Sequence, residues 1–416
     1  MKGILFIVTE IESANGICCK AVMQECLKEN YKVFCISNKE SNIFVDDSSE
    51  RIQYYTVKPR FTYRISSYLK HKKGGKLDSF IFILNYIINK LKLVLAIPTW
   101  PLISPIYSYR IYKKAKEICC VEDIACIVPV FTQIDTLIAS YFLKKENETI
   151  KYIPYFLDAM SGGYGPRIFS DKRIRERGLR WEEKLLSNAD KVIVMESSRL
   201  HHESYSKGKP HYKKIIYLDL PLLLLGKNKA TENKYLDKSK INIVYVGSLP
   251  INVRNPKYIL DVFSHTNNKK FVLTFFGDIN CKILNNSLSR DNRIRVKHAV
   301  DHKDAMNIIY NADILLNIGN SVPNMTPSKI FEYMSAGRPI ISTMPIKNEP
   351  SAKYLTHYPM SLLLDENIFN VEEAAQLTEE FIMRFSGKIC DTSFLEQHFI
   401  NNTPQMVIKT IKSIID

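Results

Sequence analysis

Residues 320–343 read NSVPNMTPSKIFEYMSAGRPIIST, directly after the apolar run Ile314 to Ile318. Thr326 suits a helix N-cap, Pro327 the first helical position and Gly337 the C-terminal stop, so a short helix over 327–336 is expected, with a strand from Pro339 to Ser342 after it. A helix entered from a buried strand presents free N–H groups at the carboxyl end of a parallel sheet, where open α/β folds bind anionic ligands. Lys329 falls in the first turn, where a cation opposes the helix dipole at a cost of a few tenths of a kcal/mol and up to about 1. Two partners would offset that mismatch. One is Glu332, three residues on; the other is a phosphate gathered by Lys329 and the N–H groups, which leaves the Glu332 carboxylate to accept from a ribose diol.

The surroundings of this stretch have one rhythm. Apolar runs at Ile241 to Val246, Phe271 to Phe276, Ile294 to Val300, Ile314 to Ile318 and Pro339 to Ser342 alternate with helical patterns, as in a parallel sheet covered on both faces. The first half repeats the theme at Ile4 to Thr9, Tyr31 to Ile36, Ile124 to Val130, Tyr152 to Leu157 and Lys191 to Met195. The fold class is therefore α/β, with two doubly wound domains. The expected division is 1–225, a polar lysine-rich linker at 226–240, a second domain over 241–390, and a C-terminal helix within 391–416 that packs back toward the first domain.

Composition bounds the function. The chain has 416 residues, 45% apolar and 24% charged, which excludes disordered and fibrous classes and allows two or three domains. Its nine cysteines are odd in number and form no C-x-x-C pair, as expected of a reduced cytoplasmic protein. The first nine residues read as a strand, not a signal peptide, and prolines 98, 101 and 105 interrupt the longest uncharged stretch. Of the net charge of +15, residues 1–240 carry +14, and 51–116 alone hold 14 basic residues against Asp78. That segment breaks the α/β pattern: about 59–116 is helical, aromatic and basic, an insertion on the first domain. It reads either as packed helices with solvated lysines or as an interfacial surface for anionic lipid headgroups. No RNP, KH or zinc-finger spacing accompanies the charge, so nucleic acid is not expected as a partner.

The motif PSKIFEYMSAGRPII, with IVYVGSLPINVRNP at 243–256, FFGD at 275–278, YNADILLNIGN at 310–320 and LLSNADKVIVMESSRL at 185–200, resembles the GT-B glycosyltransferases, in particular the family 4 type of bacterial polysaccharide and lipid-linked sugar transferases. The resemblance implies a GT-B fold, two Rossmann-like domains facing across a cleft. It implies a nucleotide-sugar donor and a saccharide or lipid-linked acceptor, transfer with retention, and no cofactor. By position it places Arg254 and Lys329 on the donor diphosphate, Glu332 on the ribose, and the Gly247 turn against the nucleotide. Asn324, Met325, Thr326 and Ser328 complete the donor loop, and Asn15 and Gly16 match the glycine loop that faces the diphosphate. The setting so implied is surface polysaccharide assembly on the inner face of the cell membrane, with the protein peripheral to it.

Two positions depart from that family. Asn324 stands where a glutamate commonly points at the transferred sugar; it can hydrogen-bond a hydroxyl but carries no charge. No histidine lies between His71 and His201, and Asp158, closing YIPYFLD, is the nearest replacement as general base or hydroxyl anchor. A D-x-D motif is absent from the sequence, which disfavours carboxylate-held metal on the diphosphate, so no metal site is expected. Two other functions fit the same residues: a GT-B sugar-nucleotide epimerase, and a non-catalytic subunit that binds nucleotide sugar.

Overall fold

The computed structural model describes residues 2–11, 13–38, 52–70, 76–162, 165–166, 168–224, 232–277, 282–322 and 327–416. Asn324, Met325, Thr326, Arg51, Lys72, Lys73 and the first part of the 226–240 linker lie outside the described residues. The chain divides into two compact units, residues 1–221 with 404–416, and residues 222–403.

The first unit is a parallel sheet of β1 (Gly3–Ile7), β2 (Lys32–Ser37), β3 (Gln53–Thr56), β4 (Ile124–Phe131), β5 (Lys151–Tyr152), β6 (Tyr155–Phe156), β7 (Val192–Met195) and β8 (Ile215–Leu218). Its order is β3-β2-β1-β4-β6-β7-β8, with β5 also beside β4. Every residue of β1 is buried, and Leu5 and Ile7 pack with Phe34 of β2 and Ile127 of β4, as a strand covered on both faces requires. The run expected as one strand at 152–157 is two short ones, because Pro154 has no N–H to give the ladder. Sequence reading missed β3 and β8, which are short and only partly buried. The helices are α1 (Ala14–Lys28), α2 (Phe61–Lys70), α3 (Lys76–Leu95), α4 (Pro105–Val121), α5 (Ile134–Glu146), α6 (Asp171–Leu186) and α7 (Arg199–Tyr205). The insertion is thus helical, as expected, and consists of α2, α3 and α4.

The second unit holds β9 (Ile241–Val246), β10 (Phe271–Phe276), β11 (Ile294–Lys297), β12 (Ile314–Ile318), β13 (Ile340–Met344) and β14 (Ser361–Asp365) in a parallel sheet of order β11-β10-β9-β12-β13-β14. It is flanked by α8 (Lys257–Ser264), α9 (Lys282–Leu288), α10 (His302–Asn311), α11 (Lys329–Ser335), α12 (Ala352–Leu355), α13 (Val371–Phe385) and α14 (Thr392–His398). The final helix, α15 (Pro404–Ile415), belongs to the first unit, where Lys412 pairs with Glu29 at 2.7 Å. In both sheets the strand order reverses beside the first strand, between β1 and β4 and between β9 and β12. Loops leaving the carboxyl ends on either side of such a switch point diverge and leave a crevice for ligands.

Candidate donor and acceptor sites

In the second unit, the two strands flanking the switch point deliver the candidate groups. Chain reversal after β9 passes through Gly247 at φ +144°, a conformation that side chains other than hydrogen resist, and its N–H donates to Phe276 O at 2.9 Å. The loop beyond it is held by the Tyr245 hydroxyl donating to Ser248 O at 2.8 Å and by the Arg254 N–H donating to Pro250 O at 2.8 Å. That geometry presents Arg254 to the loop after β12, where its Nε donates to Oδ1 of buried Asn320 at 2.8 Å. Ser321 N–H closes the same junction by donating to Val253 O at 2.9 Å.

Beneath Asn320 lies Glu349, only 2% exposed. Its carboxylate accepts the Asn320 N–H at 3.1 Å, and the Ser351 N–H at 2.7 Å and hydroxyl at 3.1 Å. Burial pushes its pKa up, and those donors pull in the opposite direction. A buried acid with this many donors fixes the β12 loop, hence Asn320 and the guanidinium beyond it. Local pattern gave no hint of Glu349, since its Asn320 partner comes from another loop.

The motif helix begins later than expected. Pro327 and Ser328 form a tight turn, with Ile330 N–H donating to Pro327 O at 3.3 Å and Phe331 N–H to Ser328 O at 3.2 Å, and α11 proper starts at Lys329. Gly337, at φ +66°, ends it as expected. Tyr333 ties α11 to the sheet: its hydroxyl accepts the Val246 N–H at 3.0 Å, one residue before the Gly247 turn. Lys329 Nζ and Glu332 Oε2 stand 2.6 Å apart as an i, i+3 pair, 32% and 17% exposed. Of the two partners weighed from sequence, Glu332 is the one the lysine meets in this structure. Gly247, Arg254, Ser328, Lys329 and Glu332 thus share the carboxyl end of one sheet, while Asn15, Gly16 and Asp158 belong to the other unit.

In the first unit, Ser13 caps α1, its Oγ accepting from Gly16 N–H at 3.2 Å. A Cβ at Gly16 would stand 2.2 Å from Ile11 O, so no larger residue fits and the start of α1 presses on the loop after β1. Asp158 is exposed two residues beyond β6. Burial, with a smaller contribution from the Asp158 charge, pushes the Cys18 thiol up to about 12, which places the carboxylate within electrostatic reach of α1. Three residues on, Ser161 Oγ meets His201 Nε2 at 2.7 Å, and the Ser161 N–H donates to Oε1 of Glu182 at 2.8 Å. Glu182 is fully buried, and desolvation raises it to about 7. His201 itself is lowered by burial and by Arg175. His201 comes from α7, after the neighbouring strand β7. Among the described residues, no group of three or more His, Cys, Asp or Glu side chains is arranged to hold a metal.

Residues 240–366 match the model of the family Glycosyl transferases group 1, which covers Gly247, Arg254, Lys329 and Glu332. Of solved structures, a glycosyltransferase from Rickettsia africae is 14% identical with a TM-score of 0.61, over 100% of this chain and 97% of its own. Alr3699/HepE from Anabaena, solved with UDP-glucose, is 12% identical with a TM-score of 0.58, over 99% and 100%. UDP-GlcNAc 2-epimerase from Methanocaldococcus jannaschii is 10% identical with a TM-score of 0.54, over 99% and 100%. No curated protein matches this sequence. The fold is that of the GT-B glycosyltransferases, α/β with two Rossmann-like domains, and the family match falls on residues 240–366 of the second unit.

Proposed function

We propose that this protein moves a sugar from a nucleotide-sugar donor to a saccharide or lipid-linked acceptor, with retention and without metal, in the assembly of a surface polysaccharide or glycoconjugate. The observation that carries the reading is the anchoring of Arg254: one guanidinium edge is bound by Asn320, at the end of a sheet whose Gly247 turn lets a nucleotide approach the backbone. Cleavage of the donor builds negative charge on the leaving diphosphate, and a pre-oriented cation stabilises it without reorganisation. Lys329 is the second cation, released from Glu332 when phosphate arrives, which frees the carboxylate for the ribose diol. Asn324, Met325, Thr326 and Ser328 complete the donor loop in this reading, Asn15 and Gly16 approach the diphosphate from the first domain, and Asp158 orients the acceptor hydroxyl or takes its proton.

The protein works in this reading at the inner face of the cell membrane, bound peripherally through 51–116. Ten large apolar side chains of α3 are exposed, Phe80, Phe82, Ile83, Ile87, Leu91 and Val94 among them. No helix among the described residues is long and apolar enough to cross a membrane, and in this reading the exposed apolar face of α3 rests on the interface. Basic side chains of the same segment supply attraction to anionic headgroups.

A sugar-nucleotide epimerase is the second reading, and the acid-base cluster of Glu182, Ser161 and His201 is the observation that favours it. A thermal-shift panel of nucleotide sugars identifies the donor, since a ligand at 100 times its Kd stabilises by about 2.7 kcal/mol. Product analysis with that donor then separates the readings. Transfer to added saccharide that persists in EDTA supports the transferase, epimerised donor supports the alternative, and binding without turnover marks a non-catalytic subunit.

A further inference from the structure

A pocket of about 240 Å3 opens in the first unit at its own switch point. Thr9 and Glu10 come from the loop after β1, Asn38 from the loop after β2 and Gln133 from the loop after β4. The basic insertion closes the other side, with Arg60 and Tyr63 at α2, Asn89 from α3 and Tyr107 from α4. This volume suits one sugar ring, below the roughly 300 to 1,000 Å3 of clefts for larger ligands.

Its wall holds three buried polar atoms without a hydrogen-bond partner: Asn38 Oδ1, Gln133 Oε1 and Arg60 Nε. Thirteen such side-chain atoms occur among the described residues, and three of them converge here. A buried polar atom left unpaired forfeits the hydrogen bonds it made to water, so a ligand able to pair all three is favoured. Two of the orphans accept and one donates. Vicinal hydroxyls do both, which is the chemistry of a sugar.

Charge decides which sugar. Among the described lining residues the one cation, Arg60, is already neutralised: its Nη2 is ion-paired with Asp135, a carboxylate with no exposure that also accepts from Ser108 Oγ at 2.7 Å. Glu10, whose Oε1 accepts from Gln133 Nε2 at 3.1 Å across the switch point, leaves the described residues of the wall with a net negative charge. An anionic sugar would lose hydration and meet a carboxylate in return. We infer that this pocket binds an uncharged sugar ring of the acceptor, although the segment that walls it is the most basic in the chain. The inference rests on the transferase reading for the word acceptor, not for the saccharide itself. The same helix, α3, then offers Asn89 to the sugar and its apolar side chains to the surroundings, which suits a sugar borne on a lipid.

Saturation-transfer NMR on the full chain tests this with neutral methyl hexopyranosides (gluco, galacto and manno) against the matching methyl uronates. At least one neutral hexoside is expected to bind about fivefold or more tighter than its uronate, and Asn89→Ala and the near-isosteric Gln133→Met are each expected to weaken it about tenfold, the loss of one or two hydrogen bonds. Glu10→Gln is expected to narrow the preference for the neutral sugar. Circular dichroism of each variant verifies the fold, and half-buried Asn89 is the substitution least able to disturb it. Uronates binding as well as neutral sugars, binding untouched by both Asn89→Ala and Gln133→Met, or no hexoside binding at all would overturn the inference. Thermal shift with nucleotide sugars separates the two claims. Donor stabilisation without hexoside binding removes the pocket and leaves the transferase reading; hexoside binding without any donor stabilisation does the reverse.

Discussion

Arg254 and Asn320 lie 66 residues apart in the chain, yet the guanidinium Nε donates to the Asn320 side chain at 2.8 Å, so the cation proposed to meet the donor is aimed by a residue on the loop after β12. Arg254→Ala is expected to lower kcat/KM by about tenfold to a thousandfold through lost stabilisation of the leaving group. Asn320→Ala leaves the charge in place and removes its aim, so a smaller loss of about tenfold, mostly in kcat, is expected, since hydrogen bonds to charged groups contribute about 1.5 to 3 kcal/mol. Arg254→Lys is expected not to restore activity, because an ammonium lacks the second edge that Asn320 grips. Steady-state kinetics on the three variants decide it; a wild-type kcat in Asn320→Ala would remove that residue as a positioning group.

Lys329 and Glu332 pair with each other at 2.6 Å, and the proposed donor site gives them separate roles. Lys329→Ala is expected to lower kcat/KM by about tenfold to a thousandfold, as for the other cation. Glu332→Ala is expected to act on donor affinity with kcat nearly unchanged, because a ribose contact is equally good in the ground and transition states. Both variants should lose less than about 1 kcal/mol of stability, the usual value of a partly exposed i, i+3 pair, and denaturant unfolding checks that the kinetic losses are not folding losses.

Glu182 makes stability depend on pH. Its pKa is raised to about 7 by burial from an ordinary 4.5, so the folded chain holds a proton that the unfolded chain has already released between those values. Stability contributed by the neutral acid is present below about pH 4.5 and is lost as pH rises toward 7, by about 3 kcal/mol when the shift is converted at 1.36 kcal/mol per unit. His202 works in the opposite sense: burial and the neighbouring His201 and His211 lower it to about 4, so its contribution is lost as pH falls from 6.5 to 4. Glu182→Gln is expected to be more stable than wild type at pH 8 and nearly equal to it at pH 4.5. Urea unfolding at the two pH values checks the crossover; a difference independent of pH would mean that the pKa of Glu182 does not change on folding.

In the proposed peripheral reading, the apolar face of α3 sets the affinity for lipid. Phe82 and Val94 are 59% and 60% exposed, so Phe82→Asp and Val94→Asp are expected to fold normally. Each is expected to weaken binding to anionic liposomes by about 1.5 to 3 kcal/mol, the value of burying one large apolar side chain. Sedimentation with anionic and neutral vesicles at low and physiological salt should show binding that needs anionic lipid and falls with salt. Transfer to a short water-soluble acceptor is expected to persist. No binding to either vesicle would assign the basic segment to another partner.

The sequence by itself determined the architecture. Predominantly apolar runs such as Ile241 to Val246, Phe271 to Phe276 and Ile314 to Ile318, each with a single polar residue, became strands with those same bounds, because a strand buried on both faces is apolar along most of its length. Half-exposed β3 and β8 escaped notice, since a short run buried on one side looks like loop. Helix α11 was legible from Pro327 and Gly337, although its tight first turn was not, being settled by hydrogen bonds to Pro327 and Ser328 rather than by propensity. What only the tertiary structure decided is which side chains meet: Arg254 with Asn320 above Glu349, His201 with Ser161 across 40 residues, and three orphaned polar atoms on loops after β2 and β4 and before α2. Periodicity reports which face of an element is buried. It says nothing of the partner on that face when the partner lies on a loop folded back from elsewhere, and hydrogen bonds and ion pairs are decided by ångström-scale distances that exist only once both sheets are built.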